Sequence, residues 1–356
     1  MKIKPKLITL FLLIATIFSL NAQHAETAFY NYRKRIELCL DTNNVPAVGI
    51  GIIENGKLKQ IMVFGDLKEN EPAPYNTIFQ VASLTKLVTT MVTLRLVSMG
   101  ALQLDEPVSQ YWIDPDVADD PRHLKLTPRL FLTHRSGFDN WRLQTDAKKL
   151  VFNFEPGTSS KYSGEGFEYL RRTLEKKFNM PLQQLADSIL FKPLDMKDTK
   201  YTWAGIDESR YALAHDKAGK FIDWTFEREK NTEACAADLL KTTVEDFCKF
   251  GISVMEADGI TEEIYNEMIT PQIKESNRSQ GLGWAVFNDL SNGEYALYHS
   301  GHDDGVHSVV LLLPKSKRGV VVFTNGENGW NVYKEVIIGS FDIGEELFNR
   351  ILTKNK

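Results

Sequence analysis

A serine and a lysine three positions apart are the first residues in this sequence that could do chemistry together. Residues 79–86 read FQVASLTK, which places Ser83 three positions before Lys86. Such neighbours share one patch on a helix. A serine hydroxyl is a weak nucleophile until a base takes its proton, and a lysine in a partly dry site can be that base. The pair predicts nucleophilic catalysis, although a solvated Ser–Lys pair is the commoner origin of this motif.

The element that carries this pair is predicted to be a helix with one buried face. Apolar residues recur after Ser83 at the positions Leu84, Leu87, Val88, Met91 and Val92. Spacing by three and four residues is typical of an amphipathic helix that packs on a core.

A tyrosine in a later loop could assist the pair. Residues 156–164 read PGTSSKYSG, so Tyr162 ends a predicted loop just before a helix. A tyrosine whose pKa is lowered by cations can shuttle protons. An amphipathic tyrosine at a helix start is the commoner alternative, and residue type alone leaves both interpretations open.

A polar turn over 298–305, YHSGHDDG, follows a predicted strand. Its glycines let backbone approach a ligand, and free N–H groups at a strand edge can form half of an oxyanion hole. A metal site is the alternative, with ligands drawn from His299, His302, His307, Asp303 and Asp304. A turn need not bring His299 and His302 together, however. His134, in LTHRSG, is interpreted as a buried histidine with its hydrogen bonds satisfied.

The surrounding elements predict an α+β fold. Two β-rich runs, 45–54 and 57–65, are joined by Asn-Gly, the strongest short-range signal for a hairpin. Helices are predicted over 24–44, 126–137, 165–178, 181–190, 235–252 and 333–352. Strands are predicted over 283–287, 295–299, 306–313 and 319–324. The last three of these predict an antiparallel meander. The hairpin and the meander could complete one sheet, with the helical middle of the chain against one end.

Composition narrows the class of protein. The chain has 356 residues, of which 43% are hydrophobic and 25% charged, as in ordinary globular proteins. A net charge of -5 without a basic block argues against nucleic acid as a partner. Cys39, Cys235 and Cys248 allow one disulfide at most, and none lies beside a motif that would activate a catalytic thiol.

The N-terminus predicts export. Lysines at positions 2, 4 and 6 precede an apolar run over 7–20, followed by Asn-Ala-Gln. This pattern predicts a signal peptide over 1–22 and a periplasmic or secreted protein, with an uncleaved N-terminal anchor as the alternative. The run is short for a membrane span, which needs about 20 apolar residues. No later stretch is as apolar, so no stable membrane span is expected after cleavage.

Together these stretches resemble the serine β-lactamase and penicillin-binding-protein superfamily, on the branch of class C β-lactamases, D-Ala-D-Ala carboxypeptidases and related esterases. The resemblance extends from about residue 45 to residue 324. It rests on FQVASLTK, LTHRSG (132–137), PGT leading to YS (156–163), FKPLDM (191–196), GLGW (281–284) and HSG (299–301). It implies a β-lactamase/transpeptidase-like α+β fold, an antiparallel sheet flanked by N- and C-terminal helices. Residues 23–356 would form one catalytic module, with sheet parts at about 23–80 and 275–356 and a helical part at about 83–270.

The resemblance also implies roles for individual residues. Ser83 would be the acylated nucleophile, Lys86 its partner in proton transfer and Tyr162 a companion acid/base. The backbone N–H groups of Ser83 and His302 would form the oxyanion hole. The residues implied at the substrate are His299, Ser300, Gly301 and Gly164. No metal and no organic cofactor is implied.

Two departures from the family pattern bear on the substrate. The tyrosine motif is usually Y-x-N, but Gly164 has no side-chain amide, and His299 stands where β-lactamases have lysine. A missing hydrogen bond can cost on the order of 1–3 kcal/mol in transition-state binding. We therefore expect an exported esterase or D-amino-acid peptidase that acts on a small molecule or a peptide, peptidoglycan-derived ligands included. The alternatives are a β-lactamase, a catalytically silent peptidoglycan-binding homologue and a metallohydrolase.

Overall fold

The structure is a computed structural model that describes residues 32–68, 70–274 and 279–353. The predicted signal peptide and the start of the predicted helix 24–44 lie outside these residues. The described part of that helix, α1, runs over 32–43. Within these three ranges, no helix has both the length and the apolar character needed to cross a membrane.

An antiparallel sheet of nine strands is the centre of the fold. In chain order the strands are β1 (Ala47–Glu54), β2 (Lys57–Lys68), β3 (Glu71–Pro72), β4 (Ile78–Gln80), β5 (Lys241–Thr243), β6 (Ile273–Lys274), β7 (Ser279–Gln280), β8 (Ala285–Phe287), β9 (Ala296–Asp303), β10 (Val306–Leu313) and β11 (Arg318–Thr324). The spatial order is β3-β2-β1-β11-β10-β9-β8-β7-β6, while β4 and β5 form a separate pair. The predicted α+β architecture is confirmed, with early and late strands meeting at the β1–β11 pair.

The predicted hairpin and meander are both confirmed. Asn55 and Gly56 have φ of 53° and 69°, as a tight turn with two left-handed central residues requires. Strand β9 extends to Asp303, four residues beyond the predicted end at 299, because its far half pairs with β10.

Helices cover both faces of the sheet. They are α2 (Thr85–Ser98), α3 (Pro128–Leu132), α4 (Gly164–Phe178), α5 (Leu182–Ala186), α6 (Asp223–Glu229), α7 (Val244–Met255), α8 (Glu262–Ile269), α9 (Gly329–Ser340) and α10 (Gly344–Leu352). Alternate residues of β10 face opposite cores. Val309 and Leu311 pack in the core with α1, α9 and α10, whereas Val310 and Leu312 pack in the core with α2, α4 and α7.

Three predicted helices differ in extent. The helix predicted over 126–137 is only α3, because the chain leaves the helix at Thr133 and His134 takes a φ of 56°. The helix predicted over 235–252 begins at Val244, because 241–243 pair with β4 as strand β5. The helix predicted over 333–352 is two helices, because Phe341 is extended.

Helix α2 is buried on all sides, so the prediction of a single buried face was wrong. Every residue from Thr85 to Leu96 is buried. The threonines fit in the core because their hydroxyls bond to carbonyls: Thr90 donates to Lys86 O at 2.8 Å and Thr93 to Thr89 O at 2.8 Å. A helix at the middle of the domain thus carries Lys86 into a dry interior.

Candidate active site

A strained turn presents Ser83. The residue lies in a 3-10 turn, Ala82–Leu84, between β4 and α2. Ala82 has a φ of 45°, a left-handed conformation that costs a non-glycine residue about 1–3 kcal/mol. Two side chains hold it there: Gln80 Oε1 accepts from Ala82 N–H, and the Thr85 hydroxyl donates to Ala82 O at 2.6 Å. The first N–H groups of a helical segment lack intrahelical acceptors, which suits Ser83 N–H to an oxyanion.

Lys86 contacts the serine directly. Its Nζ lies 3.1 Å from Ser83 Oγ and donates to Ala237 O at 2.7 Å. The side chain is 1% exposed. Ser83 and Lys86 are therefore neighbours, as predicted. The hydrogen bond to the carbonyl of Ala237 orients the amine toward the hydroxyl. At this distance Lys86 Nζ is within reach of the Ser83 hydroxyl proton.

Tyr162 faces the same lysine with its ring. Lys86 Nζ is 4.7 Å from the ring centroid, within the range of a cation–π contact. The other ring neighbour is His134, at 4.5 Å between centroids. In the described part of the chain, no hydrogen bond is made by the Tyr162 hydroxyl, and 38% of the residue is exposed. A role for that hydroxyl in proton transfer requires rotation of the side chain and stays a prediction.

His134 is a buried structural residue, as predicted. It is 6% exposed, and its Nδ1 accepts from Ser163 N–H at 3.2 Å. The contact ties the loop before α4 to the end of α3, which places Tyr162 beside the lysine.

Gly301 lets strand β9 approach the nucleophile turn. A Cβ at this position would lie 2.5 Å from Val81 O, 2.4 Å from Ser308 Oγ and 3.0 Å from Ala82 Cβ. Only a glycine permits so close a contact between β9 and the turn. The next residue, His302, lines the same cleft as Ser83. The oxyanion role of its N–H stays a prediction.

Most of the predicted residues border one polar cleft of about 510 Å³. Those brought together are Ser83, Tyr162, His299, Ser300, Gly301 and His302. His299 is 8% exposed, with Nδ1 2.8 Å from Ser300 O. Gly164 is not among the lining residues. It is buried at the start of α4, where a Cβ would lie 2.9 Å from the Trp141 ring.

A second cleft, of about 580 Å³, also reaches Ser83 and contains residues that the sequence did not single out. They include Asn140, Arg228 and Asp238. Burial, followed by the negative charge of Asp303, raises the pKa of Asp238 above its ordinary value, while Lys86 opposes the shift. Asp303 is bound by Arg228 and accepts from Gln80 Nε2 at 3.0 Å. No sequence signal marks Ala237, since it acts through a carbonyl in a stretch predicted to be helical.

The metal ligands suggested by the sequence do not all converge. Among residues 32–353, excluding 69 and 275–278, a single group of suitable side chains has its ligand atoms within 4.8 Å of one another: His302, His307 and Glu327. His299, Asp303 and Asp304 are not in it. His302 Nε2 is 3.2 Å from Glu327 Oε1. Two imidazoles and a carboxylate are ligand types that zinc accepts. All three cysteines are free.

Comparisons with known proteins agree with this fold. A family model described as Beta-lactamase matches residues 32–335. Protein flp from Staphylococcus aureus (strain MW2) is 24% identical over 315 residues, which cover 82% of this chain but only 61% of flp. A Beta-lactamase from Yersinia enterocolitica is 23% identical over 321 residues, covering 83% of this chain and 79% of that protein. A solved D-alanine carboxypeptidase from Burkholderia cenocepacia superposes with a TM-score of 0.72 and 19% identity, over 89% of this chain and 100% of that one.

Proposed function

Since the chain belongs to the β-lactamase family, as its motifs predicted, we propose that it is a serine hydrolase that forms an acyl-enzyme on Ser83. One observation carries the proposal: a lysine that is 1% exposed lies with its Nζ 3.1 Å from Ser83 Oγ, at a cleft. In a solvated Ser–Lys pair the amine would be exposed to water. The amine of Lys86 is buried, so the commoner interpretation of the motif, a solvated pair, does not apply here.

Acylation begins when Ser83 Oγ attacks the substrate carbonyl carbon and passes its proton to Lys86 Nζ, which acts as the general base. The new C–O bond places the carbonyl electron pair on oxygen, and the N–H groups of Ser83 and His302 stabilise that charge. Collapse of the intermediate breaks the bond to the leaving group, which takes the proton back from Lys86, directly or through Tyr162. Water then attacks the acyl-serine by the same route in reverse. Acid–base transfer contributes about 10²–10⁴-fold and one oxyanion donor about 10²–10³-fold.

The proposed substrate is an ester or an amide, with an esterase or a D-amino-acid peptidase as the favoured activity. The polar cleft of about 510 Å³ suits a small molecule or a short peptide. His299 can offer a hydrogen bond to a substrate carboxylate, and the structural neighbour is named as a D-alanine carboxypeptidase. A β-lactamase is the second candidate, on the name of the Yersinia relative. We also propose export, on the basic and apolar pattern of residues 1–22.

Covalent labelling tests the nucleophile. Wild-type protein, Ser83→Ala and Ser160→Ala are incubated with a fluorophosphonate and with a fluorescent penicillin, and intact masses are measured. Ser160 is the matched control, because it is an exposed serine at the same cleft. We expect one adduct per chain in the wild type and in the control, and none in Ser83→Ala. If the wild type forms no adduct with either reagent, the protein is a binding homologue and the enzyme proposal fails.

A substrate panel then resolves the activity. The panel contains p-nitrophenyl esters, a D-Ala-D-Ala peptide and nitrocefin. We expect esters or the peptide to give the higher kcat/KM, whereas faster turnover of nitrocefin would make the protein a β-lactamase.

The metallohydrolase alternative rests on His302, His307 and Glu327. A serine mechanism predicts full activity after dialysis against a strong chelator. Loss of activity on chelation, with recovery on adding zinc, would replace the acyl-enzyme mechanism by a metal-dependent one.

A further inference from the structure

Two histidines lie side by side in the wall of the polar cleft. His302 of β9 is the register partner of His307 of β10, so both side chains lie on the same face of the sheet. Their rings stack with centroids 4.3 Å apart and an angle of 23° between the ring planes. Both residues line the cleft of about 510 Å³ that also contains Ser83. The pairing of the strands thus holds two imidazoles together at the candidate active site.

A carboxylate from a third element completes the group. Glu327 lies in the turn between β11 and α9, and its Oε1 is 3.2 Å from His302 Nε2. The other oxygen, Oε2, accepts from Gly305 N–H at 2.9 Å, which holds the carboxylate in place. Within the described part of the chain, no lysine or arginine lies within ion-pairing distance of Glu327, and His302 is its sole partner of that kind. The group therefore has a carboxylate but no permanently charged cation beside it.

The ligand atoms of this group are close to the separation that a zinc site requires. One atom from each of His302, His307 and Glu327 lies within 4.8 Å of the other two. Ligand atoms around a tetrahedral zinc ion, with bonds of about 2.0–2.2 Å, are about 3.4 Å apart. The His302–Glu327 pair is already near that separation, and the His302 side chain, which is 57% exposed, has room to adjust. A ligating carboxylate is typically held by a hydrogen bond of its own, as Gly305 N–H holds Glu327.

We propose that His302, His307 and Glu327 bind a divalent transition-metal ion of the zinc class, and that the bound ion inhibits hydrolysis at Ser83. Imidazole ligands suit such ions, whereas Mg²⁺ and Ca²⁺ prefer oxygen ligands. Three protein ligands leave the fourth position of zinc to water or an anion. Because both histidines line the cleft, the ion and its fourth ligand occupy volume that a substrate needs.

The ion has a regulatory role here, in contrast to the ion of a metallohydrolase. It takes no part in the acyl-enzyme mechanism, so its removal leaves the enzyme active. The inhibitory effect rests on the proposed function of Ser83, whereas binding of the ion does not.

The experiment measures zinc binding and hydrolysis on the same protein. The untagged chain is stripped with a chelator and dialysed against a series of zinc concentrations. Bound metal, Tm and the rate of p-nitrophenyl acetate hydrolysis, at substrate well below KM, are measured at each concentration. The variants are His307→Gln, Glu327→Gln and Asp304→Asn. Glu327→Gln keeps an oxygen that can accept from Gly305 N–H and loses the charge. Asp304 is the matched control, an exposed carboxylate in the β9–β10 turn that does not belong to the group.

We expect the wild type and Asp304→Asn to bind one zinc ion per chain and to gain Tm as zinc is added. Hydrolysis should fall with a midpoint equal to the dissociation constant from dialysis. His307→Gln and Glu327→Gln should bind zinc at least about tenfold more weakly, because even an outer-shell partner of a metal is worth that much. Their midpoint of inhibition should move by the same factor. Mg²⁺ at the same concentrations should neither bind nor inhibit.

Each part of the inference has its own refuting result. A wild type that binds no zinc, or two ligand variants that fold, as judged by circular dichroism, and bind zinc as tightly as the wild type, would refute the metal site. Zinc that binds at this site without slowing hydrolysis would refute the inhibition. A wild type that hydrolyses no ester and takes no fluorophosphonate on Ser83 removes the proposed function instead, and the dialysis and Tm measurements then still decide whether the metal site exists.

Discussion

Replacement of Gly301 by alanine tests whether strand β9 supplies part of the oxyanion hole. The added Cβ would lie 2.5 Å from Val81 O, whereas real Cβ atoms essentially never approach closer than 3.0 Å. Strand and turn must therefore separate by at least about 0.5 Å. The contact with Ser308 Oγ, at 2.4 Å, can be relieved by rotation of that side chain, but the carbonyl belongs to the backbone that carries Ser83.

The expected effect on catalysis is large because an oxyanion donor is effective only within a narrow range of distances from the oxyanion. A donor at 2.7–3.1 Å that moves away by about 0.5 Å lies at about 3.2–3.6 Å, at or beyond the limit of hydrogen-bonding distance. Loss of one such donor lowers kcat by about 10²–10³-fold. The free energy of unfolding should fall by about 1–3 kcal/mol, the usual cost of overpacking.

The acylation rate constant is measured from the burst of p-nitrophenol in stopped flow, at a temperature where circular dichroism shows the variant folded. Gly319→Ala is the matched control. Gly319 is also a crowded sheet glycine, with a Cβ that would lie 2.8 Å from Leu312 Cδ2, but it borders neither cleft at Ser83. We expect the control to lose stability and to keep its burst rate. Acylation by Gly301→Ala within threefold of the wild type would show that β9 gives no oxyanion donor.

Three further variants test the base, a buried cation and a buried histidine. Lys86→Met removes the only amine hydrogen-bonded to Ser83 in the described structure, so the burst rate should fall about 10²–10⁴-fold; an unchanged rate would exclude Lys86 as the base. Arg95 is 5% exposed and bonds to Asp258, so urea titration of Arg95→Met should show a loss of about 2–4 kcal/mol, and less than 1 kcal/mol would contradict the assigned contacts. Burial lowers the pKa of His215 in the folded protein below 6.5. As the pH falls, this histidine therefore binds a proton in the unfolded chain before it does so in the folded protein, and the free energy of unfolding decreases. His215→Gln should reduce the loss between about pH 7.5 and 5, and an equal loss in both proteins would refute this.

Much of the fold follows from local patterns. The Asn55-Gly56 turn requires two left-handed residues, so the hairpin is specified by those two positions alone. Strand β10 was predicted to the residue, because its apolar run is bounded by turns on both sides. Helix ends were less predictable. Nothing local distinguishes 235–243 from a helix, since its course is decided by pairing with β4 and by contacts to Thr85 and Lys86.

Within the site, local spacing alone predicts that the Ser83 hydroxyl and the Lys86 amine are neighbours, because a separation of three residues places them on one face of a helix. The sequence also identified the HSG stretch as part of the site, but it was wrong to predict a turn there, because residues 299–301 pair with β10 as part of strand β9. The other features of the site depend on contacts between distant parts of the chain. The hydrogen bond of Lys86 to the Ala237 carbonyl and the full burial of α2 depend on segments that are distant in sequence, and no residue type in those segments predicts these contacts. Spacing along one helix is a local property. The desolvation of the Lys86 amine and its orientation depend on how the remainder of the chain packs against that helix.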